Sequence, residues 1–366
     1  MRIDKFNWGP GIFIIGYHIA LFIALPVYLI YLNPGIKIIL ISLSLLFLSG
    51  LSISAGYHRF YAHRAYNVSR VPETILLFFS TMALQGSVLY WAYEHRKHHM
   101  YTDKDEDPHS IKKGFLYAHM LWIFRKPSPI DGKIVNDLTK NNLVMFQHKN
   151  YLLLAIITNV IAVFFAWFIT KDFAGALVFA FLARLFLLHH FTWFINSLAH
   201  TWGSKTFSGE QSAVDNYIIA LLTFGEGYHN YHHVFASDYR NGVKWYHFDP
   251  SKWLVWILNK LGMANDLKKV SPYVIKRTII IEDKKILLEK LSETNPKDKS
   301  ALEIKVGEIS EKIISKINQL NAIMHEYSKS RESSLKKQVR EFRIGLNNSW
   351  EEWKSLSKQI MRLPST

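Results

Sequence analysis

Four apolar stretches, residues 12–32, 36–55, 151–169 and 173–195, come close to the roughly 20 residues an α-helix needs to cross a bilayer core about 30 Å thick. The links within the two pairs are short, Asn33-Pro34-Gly35 in one and Lys171-Asp172 in the other, so the stretches fold as two tight helical hairpins. The first stretch is long, contains Pro26 and lacks a small-x-small cleavage site, which makes it a retained anchor rather than a secretory leader. Only Lys37 and Lys171 lie at the hairpin links, whereas the segments at the other ends of the stretches hold nearly all remaining Lys and Arg. The positive-inside rule then places both termini in the cytoplasm. The expected fold is an all-α membrane protein, four transmembrane helices in two hairpins under a cytoplasmic helical cap.

Histidine narrows that architecture further. His58 and His63 stand in HRFYAH, His95, His98 and His99 in EHRKHH, and His229, His232 and His233 in GYHNYHH. The chain has 17 His in 366 residues, from which random placement gives only about 0.04 copies of H-x-x-H-H; the pattern occurs at both the second and third clusters. Residues three and four apart project from one helix face and can present several imidazoles to one point. Neutral imidazole is the commonest metal ligand, and eight clustered His exceed what one four- to six-coordinate ion can use, so two metals are implied. Outside the clusters, His18, His109, His119, His148, His247 and His325 read as ordinary membrane-interface, surface or satisfied core residues.

The metal reading decides a topological question. Residues 71–93 are about as apolar as the four stretches; as a fifth crossing they would put the first and second clusters about 30 Å apart. Paired catalytic metals sit roughly 3.5 to 4 Å apart. This segment must therefore lie along the interface or in the cytoplasmic domain, as must residues 217–224. All three clusters then face the cytoplasm.

Absence of Cys excludes disulfides, Cys-ligated iron–sulfur clusters, thiolate zinc sites and a Cys nucleophile. The net charge of +15 suits positive-inside topology, anionic lipid headgroups or an acidic protein partner, and nucleic-acid binding explains it poorly in a four-span protein. An all-imidazole site leaves copper, zinc and iron open. Zinc catalysis usually takes three protein ligands and a water. A di-iron centre would use all eight His and could activate O2 to attack an unactivated C–H bond, which side chains alone cannot do.

In their order and separation, HRFYAH, EHRKHH and GEGYHNYHH resemble the three histidine boxes of the membrane fatty acyl desaturases, above all the stearoyl-CoA (Δ9) group. TDKDEDPHSIKKGF after the second box and NSLAH at residues 196–200 support the resemblance, which covers roughly residues 12–270. It implies a desaturase domain over residues 1–270 and nine ligands for two Fe ions: His58, His63, His95, His98, His99, His200, His229, His232 and His233. Spacing alone reads His200 as a structural residue. With the resemblance, Asn196 would hold a metal-bound water, four residues from His200 and on the same face. The implied reaction is O2-dependent insertion of a cis double bond into a fatty acyl chain, acyl-CoA favoured, with electrons from a separate cytochrome b5 or ferredoxin, because no His-Pro-Gly-Gly haem motif occurs in the chain.

Trp193 matches the family's tryptophan at the thioester end, Arg125-Lys126 a basic pair near the CoA head group, and Gln85 an amide near the acyl chain. Tyr93-Glu94 departs from the pattern, since acyl-CoA enzymes commonly carry Arg and Asp there, and this keeps acyl-lipid and acyl-carrier-protein substrates open. His189, eleven residues from His200 and so about 16 Å away along the helix, belongs on the substrate cavity or a helix contact. Ser42, Leu46 and Gly50 on the second span are the expected stop for the acyl chain. A hydroxylase or alkane monooxygenase would use similar boxes, whereas a metal transporter would place its site on broken spans near the midplane. Residues 271–366 change to Lys, Glu, Ser and Ile. Leu302, Ile309, Ile313, Leu320 and Tyr327, then Leu335, Val339, Phe342, Leu346, Trp350, Trp353 and Ile360, recur near helical spacing, punctuated by Pro296 and residues 328–334. They predict cytoplasmic amphipathic helices, arranged as a hairpin, that serve as a packing appendage.

Overall fold

The computed structural model describes residues 6–294 and 296–364, which form two compact units. The first contains the described residues up to Lys205 together with Glu210–Lys269. Its long helices are α1 (Trp8–Tyr31), α2 (Ile36–Ala62), α3 (Arg70–Met82), α4 (Val88–Tyr101), α5 (Tyr151–Thr170) and α6 (Phe173–His200); shorter ones are α7 (Tyr217–Leu222), α8 (His229–Val234) and α9 (Pro250–Lys260). Among the described residues, α1, α2, α5 and α6 are the helices long and apolar enough to cross a membrane.

Their bounds differ from the apolar runs for local reasons. α1 starts four residues earlier, at Trp8, with Pro10 in its first turn, where a missing N–H removes no helical bond. α2 and α6 continue past their apolar stretches, to Ala62 and His200, and so carry histidines of the clusters beyond those stretches. The last ten residues of α2, Ile53–Ala62, are wound as π-helix. The His63 amide donates to the His58 carbonyl at 3.0 Å, an i→i+5 bond. This winding explains the five-residue spacing of HRFYAH, because it returns the chain to the same face after five residues rather than four.

Residues 71–93 do not form one helix. α3 is 13 residues long, about 20 Å at the helical rise and too short to cross. The chain then turns through Leu84 (φ +54°) and Gly86 (φ +91°), left-handed conformations that end the helix before α4 begins. Small side chains bring the spanning helices together, with Ala162, Ala166, Ala176 and Ala180 buried beside Ile38, Leu45 and Met82. Arg184 is buried among them but fully engaged, donating to Ala180 O (2.7 Å), Met82 O (3.3 Å), Ser49 Oγ (3.4 Å) and Asn159 Oδ1.

The second unit, Thr206–Gly209 with the residues from Val270 onward, has three helices rather than a hairpin: α10 (Pro272–Thr294), α11 (Lys299–Ser330) and α12 (Ser333–Met361). Its core joins Ile280, Leu287 and Leu291 to Val306, Ile309, Ile313, Ile317 and Leu320 and to Val339, Leu346, Trp353, Leu356 and Ile360. These positions recur at three, four and seven residues, the stripe of a helical bundle. α10 escapes a reading by periodicity because its core positions are interleaved with Ile279, Ile281 and Ile286, so apolar residues surround much of the helix. Trp353 Nε1 donates to Asp283 Oδ2 at 3.1 Å, giving the buried indole its polar partner.

Candidate metal centre

The nine histidines assemble from four places: the end of α2 (His58, His63), α4 (His95, His98, His99), the end of α6 (His200) and α8 (His229, His232, His233). They sort into two groups whose ligand atoms lie within 4.8 Å of one another, His58/His63/His95/His99/His232 and His98/His200/His229/His233. Adjacent residues on α4 and on α8 thus diverge, His98 and His233 to one group and His99 and His232 to the other.

Within the groups the Nε2 atoms face each other: His63 and His95 at 2.7 Å, His58 and His232 at 3.0 Å, His99 and His232 at 3.0 Å, His229 and His233 at 3.0 Å, His200 and His229 at 3.1 Å, and His98 and His233 at 3.3 Å. One N–H per neutral ring cannot satisfy so many mutual contacts. Two nitrogens each about 2.1 Å from one ion and at right angles would lie about 3.0 Å apart, so these separations fit the edges of a coordination polyhedron. Burial holds His63, His95, His98, His99, His229, His232 and His233 well below the usual histidine range, and neighbouring imidazoles push in the same direction. Neutral rings are the form that ligates a metal. The donor set therefore fits two metal ions.

Acidic groups hold the far sides of these rings. His58 Nδ1 lies 2.9 Å from Glu226 Oε2, and Glu226 also accepts from Arg59 (3.0 Å), Asn241 (2.6 Å) and Ser54. Burial would raise the Glu226 carboxyl, yet His58 and Arg59 bring it down to about 2. Asp249 fixes Arg59 in turn at 3.0–3.1 Å. His98 Nδ1 donates to Asp107 Oδ1 at 2.9 Å, while the amides of Asp103 and His109 donate to the same carboxylate. His200 Nδ1 donates to Ser212 Oγ (2.7 Å), whose hydroxyl donates to Asp103 Oδ1 (2.6 Å). Each arrangement fixes the Nδ1–H tautomer and aims the Nε2 lone pair inward.

Glu226, Asp107, Asp103, Ser212, Arg59 and Asp249 are absent from the sequence reading, although GEGYHNYHH and TDKDEDPHSIKKGF contain three of them. Arg59 sits on α2 beside His58, but the others follow no helical spacing from the histidines, since loops and turns deliver them. His109, read as ordinary, in fact packs its ring 4.3 Å from that of His98 and lines the cavity. His18 and His119 likewise join a half-buried chain, with His18 Nε2 3.1 Å from His190 Nε2 and His190 Nδ1 3.0 Å from His119 Nε2.

A cavity of about 980 Å³ touches both groups, meeting His58 and His95 of one and His98 and His229 of the other. Its lining also includes Asn7, Trp122 and Arg125, and Val163, Phe164, Phe173 and Leu177 from the α5–α6 hairpin. Asn196, Trp193 and Gln85 line it, and Gln85 Nε2 donates to Thr192 Oγ1 at 2.9 Å. Arg125 lies at its wall, donating to Tyr117 Oη at 2.9 Å, whereas Lys126 is exposed and does not line it. His189 both lines the cavity and makes a helix contact, with Tyr17 Oη at 2.9 Å and Ala83 O at 2.8 Å. The expected stop on α2 needs correction: of Ser42, Leu46 and Gly50 only Gly50 reaches the cavity. Leu46 packs in the core cluster with Ile53 and Phe224, both of which line the cavity, and Ser42 bonds back to Ile38 O.

The sequence model of the fatty acid desaturase family matches residues 35–257. The chain is 36% identical over 288 residues to acyl-CoA desaturase 1 of Saccharomyces cerevisiae, covering 78% of this chain and 55% of that protein. It is 41% identical over 242 residues to a probable acyl-CoA desaturase of Schizosaccharomyces pombe, covering 65% and 50%. It thus spans about half the length of these two relatives. To the sn-1 stearoyl-lipid 9-desaturase of Anabaena variabilis it is 30% identical over 267 residues, 72% of this chain and 94% of that one. With its histidine groups, four spanning helices and these matches, the chain belongs to the fatty acid desaturase family.

Proposed function

We propose that this protein is an O2-dependent acyl desaturase that places a cis double bond at Δ9 of a saturated acyl-CoA, using two iron ions held by the five- and four-histidine groups. The observation that carries the reading is the meeting of both groups with one cavity whose surface is mostly apolar and which takes much of its lining from the spanning helices. Bound iron supplies the O2 chemistry needed to break two unactivated C–H bonds. In balance, one acyl –CH2–CH2– unit, one O2, two electrons and two protons give –CH=CH– and two waters.

The chain's own residues do the rest. The walls from Val160, Val163, Phe164, Phe173 and Leu177 hold the methyl end and exclude water, fixing which carbons lie beside the centre. Trp193 and Gln85 position the carbonyl end, and Arg125 and Lys126 meet phosphates at the mouth. Asn196, at the end of α6, holds a water at the four-histidine group. Glu226, Asp107 and Ser212 hold their ligand rings in orientation, with Nδ1 outward and Nε2 toward the centre. Positive-inside charge places both termini and the centre on the cytoplasmic side, where cytochrome b5 or a ferredoxin delivers electrons to the basic face.

One observation favours a second reading, an acyl-lipid substrate. Glu94 lines the cavity beside Tyr93, and burial raises its carboxyl, so no cation for a nucleotide phosphate stands at these two positions. Expression in a desaturation-deficient host followed by mass spectrometry tests the proposal. New cis-Δ9 monounsaturated acids that vanish in His98→Ala and His232→Ala support it, and a gain of one oxygen instead of a loss of two hydrogens refutes it. Whether acyl-CoA or phospholipid chains are desaturated by the purified protein separates the two substrates.

A further inference from the structure

α9 is apolar on two opposite faces. Val255 and Leu258 turn inward, buried with Ala55, Tyr66 and Leu76. Trp253, Trp256, Ile257 and Leu261 form the outer stripe, 41 to 63% exposed. An apolar helix face is normally covered, yet 11 residues reach only about 16 Å and cannot cross a bilayer.

Its position in the fold sets its depth. Ser251, in the first turn of α9, lies 2.6 Å from Ser54 of α2 through their hydroxyls and donates to Phe224 O at 3.4 Å. The Phe224 ring packs edge-on against Phe47, which is exposed on the apolar flank of α2 (centroids 5.7 Å apart). α9 thus begins level with the end of a membrane span. At its other end the Met263 carbonyl accepts from Ser69 N at 2.8 Å, and residues 67–68 pair with 264–265. This stitches α9 to the start of α3, which exposes Val71 and Ile75.

We propose that the outer face of α9, continued by the exposed edge of α3, is an interfacial anchor lying in the headgroup layer of an anionic bilayer. Charge favours that occupant. The exposed ionisable residues flanking the patch are Arg70, Lys244, Lys260, Lys268 and Lys269 against Asp266, and Lys260 Nζ lies 5.7 Å from the Trp256 ring, the pairing of an aromatic at the interface with a lysine reaching for phosphate. A second copy docked symmetrically through the same patch would set like charges against like. The anchor also adjoins the metal centre, because Asp249, which caps α9 by accepting from Lys252 N at 2.9 Å, is the residue that fixes Arg59.

The cysteine-free sequence allows a clean test. Single variants Trp256→Cys, Ile257→Cys and, as a solvent control, Lys269→Cys are spin-labelled in the full-length protein in nanodiscs of phosphatidylcholine with phosphatidylserine. Relaxation by lipid-soluble oxygen is compared with relaxation by a water-soluble nickel complex. The anchor predicts oxygen-dominated relaxation at 256 and 257, nickel-dominated relaxation at 269, and a shift toward nickel at 256 and 257 without phosphatidylserine. Nickel dominance at 256 and 257, or shielding from both reagents as under a second protein copy, overturns it. Should labelling disturb the fold, loss of quenching by shallow-brominated lipid in Trp253→Phe/Trp256→Phe relative to the unmodified protein gives the same reading, and undiminished quenching refutes it. Neither readout requires iron or turnover.

Discussion

The histidine-rich unit and the carboxyl-terminal bundle are both helical, but they spend their interiors differently. The bundle buries Leu, Ile, Val and one Trp in a repeating stripe, so its stability is spread over interchangeable apolar contacts. The first unit buries His58, Arg59, Glu94, His98, Asp107, Arg184, Glu226, His229, His232 and Asp249, each requiring a partner in a set geometry. One interior is built to be stable, the other to hold polar atoms where the proposed metal centre and acyl substrate require them.

The contrast is most directly broken by removing ligands. His98→Ala or His232→Ala should abolish desaturation, by at least about 100-fold against the 10- to 100-fold loss expected for an outer partner, and should lower bound iron measured by elemental analysis, while the bundle keeps its helical signal. The reverse experiment is Trp353→Ala. It should destabilise the bundle by about 3–5 kcal/mol in denaturant titration and leave iron content unchanged; loss of iron would show that the two interiors are not separate. Glu226→Gln, which preserves shape but removes the charge facing His58 and Arg59, should cut iron affinity or turnover by about 10- to 100-fold, and an unaltered enzyme would deny the carboxylate its supporting role.

Acid sharpens the comparison with smaller effects of opposite sign. Asp137 is held at about 2 despite partial burial, by Arg96 and Arg64. Its folded value lies below the ordinary 3.8, so its contribution is present above pH 3.8 and is lost as pH falls toward 2. Asp283 in the bundle is raised by burial; its contribution is present below the ordinary carboxylate range and is lost as pH rises through the folded value. Asp137→Asn and Asp283→Asn should each change the pH dependence of their own unit's unfolding by about 1 kcal/mol or less, in opposite directions.

Sequence legibility divides along the same line. The four spans, the boxes and the bundle's stripe follow from short periods, because helical repeats and His spacing are local. The π-winding that explains HRFYAH, the choice of group for neighbours such as His98 and His99, and the supports Glu226, Asp107 and Ser212 depend on which loops meet in space. The acyl stop has the same origin: spacing puts Ser42, Leu46 and Gly50 on one face of α2, but packing decides that of the three only Gly50 touches the cavity. α10 was obscured for the opposite reason, its isoleucines giving too many apolar positions to define one face.

Metal stoichiometry with ligand identity, measured on the purified full-length protein by elemental analysis and X-ray absorption, tests the central claim most directly. Two irons per chain in nitrogen-rich shells are predicted, with iron lost in a His98→Ala/His232→Ala double variant. A single metal per chain, or iron retained without those two imidazoles, would contradict the assignment of five and four histidines to two ions.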